Sequence, residues 1–320
     1  MADNRDQFES IRRDSLLEQT HYEKLLSYYS KDKSNRYKKI LDSNNSMALR
    51  KRVSWSLALH KFEQCILEYS AGKDIKHCSA LMKDALDEFN RHKSTFPQVN
   101  YLYWEPDSFR FILWAMSFAA LSGNLNDMRN IVRSISKNPQ DEDDPLLSIL
   151  LARLGYIGFP RLDYLAFPKS YQHLYESVKG DGVTPSKEER QESLKQYLKG
   201  WYNGSKDCYW YNLHKLGSTH FGYWAFEAVL VTVLYELDDS SYRHLPFYPK
   251  DLVEHSRQTG IAEALKPDNI PQHHIAFPND ESPVSSEWVC NLSSESTFVN
   301  QGEKLPTQDD DENKIFWVSV

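Results

Sequence analysis

The sequence predicts a mainly α protein: a bundle-like body of many helices in two packed helical subdomains, followed by a short acidic extension that adds a small β-hairpin or sheet. Three observations predict it. Glycine and proline are scarce, 12 and 14 in 320 residues, which leaves few of the breaks that a turn-rich β fold needs. Apolar residues recur at three- and four-residue spacing between residues suited to capping helices. From Lys266 that spacing stops, and Pro, Asn and Ser become frequent. The implied limits are 1–157 for an N-terminal helical domain, 166–265 for a second one and 266–320 for the extension.

Over residues 5–30, Phe8, Ile11, Leu16, Leu25, Leu26 and Tyr29 sit in a charged background, as on an amphipathic surface helix. Asn44 to Ser46 offer an N-cap for a helix that runs to Tyr69 and is stopped by Gly72. Asp74 caps the next, with Cys78, Leu81, Met82, Ala85 and Phe89 along one side. Asp107 or Ser108 opens SFRFILWAMSFAALSG, which is apolar nearly all round and therefore belongs between other helices. Shorter helices follow at Leu125 to Ile135 and, after the acidic run DEDD, at Pro145 to Leu154, where proline suits the first turn. Further helices are expected at about 168–178, 186–203 and 221–237. In the extension, SEWVCNL, STFVN and KIFWVSV read as strands, with QGEKLPTQDDDEN as a mobile loop.

Composition narrows the function classes. The chain is 40% hydrophobic with a net charge of -7 and a mean hydropathy of -0.63. No apolar run nears the roughly 18 residues that cross a bilayer, and the first residues lack the apolar core of a secretory signal. Four separated cysteines with no CxxC pair fit a reducing compartment, so the cytoplasm is expected. Residues 1–100 hold 18 Lys/Arg against 14 Asp/Glu, and residues 181–320 hold 12 against 22. An acidic half repels nucleic acid and speeds association with a basic protein.

Catalytic signatures do not emerge. Neither GxxxxGK[ST] nor GxGxxG occurs, and Gly155 to Gly158 reads as a plain turn. Cys208, His214 and His220 are spaced by six residues, which matches neither a helix face nor a zinc knuckle, so hydrogen-bonded or exposed histidines are expected and no metal or cofactor. Ser218 lacks the elbow that would strain it into a nucleophile. The expectation is a protein that is not an enzyme.

The most informative stretch is 201–254. Trp201, Tyr202, Tyr209, Trp210 and Tyr211 precede an apolar helix with Glu227 mid-way along it. A carboxylate buried there requires a partner: a Trp or Tyr donor, Arg243, or backbone N–H groups. Its readings are a buried strut tying helices together, a catalytic carboxylate or a contact to another protein.

The strings GYWAFEA, LDDSS and YPKDLV, carrying Gly222, Tyr223, Trp224, Glu227, Ala228, Asp238, Asp239, Tyr248, Pro249, Asp251 and Leu252, with Trp210 upstream, resemble the C-terminal domain of the PoNi immunity proteins. These are antidotes to PoNe-type polymorphic nuclease toxins. Residues 1–140 resemble the family's other helical domain in pattern and position, and the tail from about 266 has no counterpart. The resemblance implies an all-helical cytoplasmic antitoxin, without cofactor, that binds and occludes a secreted antibacterial nuclease, a DNase, encoded nearby. It implies that the shared motif maintains the fold. Acidic runs that could meet a basic nuclease are Asp141, Glu142, Asp143 and Asp144; Asp238 and Asp239; and Asp309, Asp310, Asp311 and Glu312. The alternative is a helical chaperone or adaptor for a secreted effector.

Overall fold

Helices dominate because caps and apolar spacing agree over most of the chain. The computed structural model describes residues 2–31, 33–136, 144–159, 164–180, 184–216, 219–307 and 315–320, with backbone alone for 2–6. The chain divides into two compact units that interleave in sequence: residues 1–96 with 208–224, and residues 97–207 with 225–320.

The first unit holds helices α1 (Ala2–Ile11), α2 (Gln19–Ser30), α3 (Lys33–Leu41), α4 (Met47–Ser70) and α5 (Ile75–Thr95). The single amphipathic helix expected over 5–30 is two helices. The chain breaks at 12–18, where the Asp14 carboxylate accepts the Leu16 N–H and Arg12 donates to the Leu17 carbonyl. Ser46 caps α4 through the Leu49 N–H at 3.3 Å. Asp74 caps α5 through the N–H groups of Lys76 and His77. Gly72 separates these two helices at φ 84°, and a Cβ there would lie 1.9 Å from the Ile11 carbonyl oxygen. Only glycine fits such a left-handed, crowded position.

The second unit starts its helices with α6 (Pro106–Leu121), buried at every residue from Phe109 to Leu121 as its apolar circumference predicts. The helix expected over 125–135 is a 3-10 turn, Leu125–Asp127, followed by α7 (Met128–Val132). After these come α8 (Pro145–Arg153), α9 (Pro168–Val178) and α10 (Lys187–Gly204), the last opened by a reciprocal capping box of Ser186 and Glu189. The apolar helix expected over 221–237 is shorter, α11 (Phe226–Leu234). Residues 221–225 stay outside the helix, where Gly222 turns at φ 124° and the Ala225 N–H donates to the Phe247 carbonyl at 2.8 Å. Glu227 therefore lies in the first turn of α11 and not mid-way along it. The helical part closes with α12 (Lys250–Gln258) and α13 (Ile261–Ala264).

The extension is a sheet, and it recruits a strand from the body. Strands β1 (Tyr156–Ile157), β2 (His273–Ala276), β3 (Ser286–Cys290), β4 (Ser296–Val299) and β5 (Trp317–Ser319) run in the order β1-β2-β5-β3-β4. All neighbours are antiparallel except β1 and β2. The plain turn expected at Gly155 to Gly158 is thus corrected to a short parallel strand between two positive-φ glycines. One face of the sheet carries Trp288, Cys290, Val299 and Trp317, and Leu305 and Ile315 complete this cluster. Arg133 fixes the sheet to the helical part of its unit by donating to the carbonyls of Cys290, at 2.9 Å, and Ser293. The expected mobile loop overlaps residues 308–314, which lie outside the described residues.

Candidate functional site

The motif of residues 201–254 resolves into two buried polar knots, one in each unit. In the second unit, Glu227 is fully buried and its Oε1 accepts from Arg110 Nη1 at 2.6 Å, Tyr197 Oη at 2.5 Å and Trp201 Nε1 at 2.6 Å. Arg110, 2% exposed on the apolar helix α6, also donates to Ser205 Oγ at 3.0 Å and lies over the rings of Trp201 and Tyr171. The expected Trp or Tyr donors are therefore present, and both come from α10. Arg243 is not the cation: it faces Asp239 at 3.5 Å and Glu254. Arg110 takes its place, and its signal in the sequence is a lone charge inside an otherwise apolar run. Burial and the adjacent Glu227 carboxylate push the Tyr197 phenol well above its ordinary pKa, so it stays a donor.

In the first unit the knot forms around Ser70, the last residue of α4. Its hydroxyl lies 2.8 Å from Trp224 Nε1, which donates to it, and is within hydrogen-bond reach of the Ile66 and Phe221 carbonyls. Gly222 passes so close that a Cβ there would meet Ser70 Oγ at 1.9 Å. The Ser70 carbonyl accepts the N–H groups of Arg13 and Asp14, while the Arg13 guanidinium caps the carbonyls of Tyr69 and Lys73. These are the orphan acceptors at a helix C-terminus. His220, 1% exposed, binds Asp14 at 2.8 Å, and its ring lies 4.4 Å from that of Tyr223. Tyr223 packs in turn on Trp210 and takes the Nδ1 of His214 at 2.9 Å. A second carboxylate, Glu63, is held under the hydroxyls of Tyr209, at 2.6 Å, and Tyr29, at 3.2 Å. None of Ser70, Asp14 or Glu63 is signalled by spacing in the sequence.

The third motif block makes a ring at the end of α11. Asp239, 1% exposed, sits 3.5 Å from both Arg243 and Arg257, and its Oδ2 lies 3.4 Å from the Tyr248 hydroxyl. Tyr248 and Tyr242 both reach Thr232 Oγ1 at 3.1 Å. Burial drives the Tyr248 phenol far upward and that of Tyr242 to about 12. Pro249 precedes α12, and Asp251 lies in its first turn.

The acidic runs separate by exposure. Asp144 is fully buried: Oδ1 accepts from Leu146 and Leu147, and Oδ2 from Ala166 at 2.8 Å. Burial raises its pKa against the pull of those three N–H groups. The Asp144 and Asp239 carboxylates are each enclosed and engaged within their own unit. Asp238 is exposed and binds the backbone and hydroxyl of Ser240, which hold its pKa low. Asp141, Glu142, Asp143, Asp309, Asp310, Asp311 and Glu312 lie outside the described residues.

Among the described residues no group of three or more His, Cys, Asp or Glu is placed to hold a metal ion, and no helix is long and apolar enough to cross a membrane. Charge follows the units. The first carries 19 Lys/Arg and 14 Asp/Glu, and the second 19 and 31.

The chain matches two family models, that of the PoNe immunity protein (PoNi), N-terminal, over residues 13–133, and that of the PoNe immunity proteins (PoNi), C-terminal, over residues 142–252. No curated protein matches it. Among solved structures it resembles the crystal structure of Protein PA2201 from Pseudomonas aeruginosa, with a TM-score of 0.54 and 14% identity, over 81% of this chain and 97% of that one. At that identity the likeness is one of fold. Arg110 falls in the first matched segment, and Tyr197, Trp201 and Glu227 fall in the second, so the buried ion pair joins the two. With both segments matched and joined through the motif that the sequence singles out, the chain belongs to the PoNi family of PoNe immunity proteins.

Proposed function

We propose that this protein is the antidote to a secreted antibacterial nuclease of the PoNe type, a DNase, and that it acts in the cytoplasm by covering the toxin in a stoichiometric complex. The observation that carries this reading is the match to both PoNi segments. Charge supports it. Nucleases hold phosphate backbones with basic surfaces, and the second unit, with 31 acidic residues against 19 basic ones, offers them a competing surface. The motif residues Glu227, Trp224, Gly222, Asp239 and Tyr248 are buried or engaged within their own units, which supports a structural role for them and leaves recognition to the exposed surface.

The test is a titration of a PoNe-type toxin domain, taken from the neighbouring gene, against a plasmid substrate. Nicking should stop at one equivalent of the antidote, and co-expression should restore growth. A nuclease that remains active in the complex, or that is inactivated by a small fraction of an equivalent, would overturn covering as the mode of action.

A further inference from the structure

The outer face of the C-terminal sheet, away from the Trp288–Trp317 cluster, is uncovered at its β4 end. Strand register fixes which residues share it. Phe298 of β4 lies opposite Glu287 of β3, and the Val320 N–H donates to the Glu287 carbonyl at 2.9 Å, so Phe298, Glu287 and Val320 form one cross-strand row. The next row is Ser296, Val289, Val318 and Ile275. Toward β2 this face is closed, with Val318 fully buried and Ile275 nearly so. Toward β4 it opens: Val289 is half-buried, Val320 is 47% exposed and Phe298 is 65% exposed. Among the described residues β4 is also the last strand in the sheet, paired with a strand on one side alone. Single exposed apolar residues are ordinary. Here, however, exposed Phe298 and Val320 share one face with half-buried Val289, at an edge that soluble sheets usually blunt with charge.

Charge says what would cover it. Glu287 stands inside the apolar row, Glu295 precedes β4, and Asp280, Glu281 and Glu303 are exposed in the same extension, whose described lysines are Lys266, half-buried, and Lys304, exposed. Lys266 is already paired with Glu263. An apolar anchor ringed by carboxylates fits a basic protein surface with an apolar centre. The position in the chain adds a further argument: both family segments end, at residues 133 and 252, before strands β2 to β5. The matched residues therefore hold most of the helices and β1, and strands β2 to β5 are free to differ between antidotes that face different toxins.

We propose that the β4 end of this face, with Phe298 as anchor and Glu287 as charge partner, selects the cognate toxin by docking on its basic nuclease surface. This rests on the antidote reading above. Binding of the toxin domain that the wild-type chain neutralises is measured on a biosensor, over a series of salt concentrations, for Phe298→Ala, Glu287→Lys and the wild type. Phe298→Ala should weaken affinity about 30-fold through faster dissociation, as loss of a hot-spot aromatic does. Glu287→Lys should slow association and flatten its salt dependence. Both side chains are exposed, so thermal unfolding should move little, and it serves as the control for folding. Wild-type affinity in both variants overturns the selection surface and leaves the antidote reading standing. A wild-type chain that binds no PoNe-type domain sinks both together.

Discussion

The two buried knots solve the same problem with opposite chemistry. In the second unit three donors converge on one carboxylate oxygen of Glu227, and a buried guanidinium supplies the opposite charge. In the first unit the centre is a neutral hydroxyl, Ser70, approached by backbone carbonyls, an indole N–H and a glycine without a side chain. A charged knot is held by what is present, and deleting one member leaves the other charge stranded in a low dielectric. A crowded knot is held by what is missing, and adding a methyl group destroys it. The string GYWAFEA supplies both, since the unit boundary runs between Trp224 and Ala225. One short motif thus serves each unit with a different device.

The largest effect should come from the charged knot. Glu227→Ala strands Arg110 and should cost about 3–5 kcal/mol, seen as a drop of roughly 10 °C in melting temperature. Arg110→Met combined with Glu227→Leu should recover most of that loss, because an apolar replacement removes both charges. A double variant as unstable as the single one would show that the hydrogen bonds, and not the stranded charge, dominate. For the crowded knot, Gly222→Ala meets both the φ of 124° and the Ser70 hydroxyl, and should cost about 2–3 kcal/mol. On a Ser70→Ala background the same change should cost about 1 kcal/mol less in urea unfolding. Equal costs on both backgrounds would assign the penalty to backbone strain alone.

The smallest effect concerns acid. In the first unit, burial lowers the pKa of His60 and His92 to about 4, helped at His92 by Lys51 and Lys93 and at His60 by Arg36. Unfolded, these histidines titrate near 6.5. Above that value both states are neutral and the stability is intact. Between 6.5 and 4 the unfolded chain takes up protons that the native one refuses, and stability falls. The raised carboxyls of Glu63 and Asp144 act in the opposite sense and blunt the decline. His92→Gln should therefore flatten the urea midpoint between pH 7 and 5, and a slope identical to wild type would remove His92 from the account.

Much of this architecture is legible in the residues. Caps at Ser46, Asp74 and Ser186, the all-round apolar run of α6 and the strands of the extension announce themselves through local chemistry. What escapes is non-local. Strand β1 exists because β2, more than 110 residues later, lies beside it. The short α11 follows from a glycine that turns to clear Ser70, 152 positions earlier. Arg110 and Glu227 each read as an oddity in an apolar helix, and nothing in their spacing says that each is the other's answer. In the acidic runs, a carboxylate that caps a helix, Asp144, and one that faces solvent, Asp238, look alike in sequence.

The interleaving of the units has a temporal side. The first 96 residues leave the ribosome well before residues 208–224, which complete their unit. At about 5–20 residues per second the wait is roughly ten seconds, during which α4 and α5 lack the segment bearing Tyr209, His220 and Trp224. The first unit therefore matures only after more than two-thirds of the chain has emerged, so its schedule is set by a late segment and not by its own first residues.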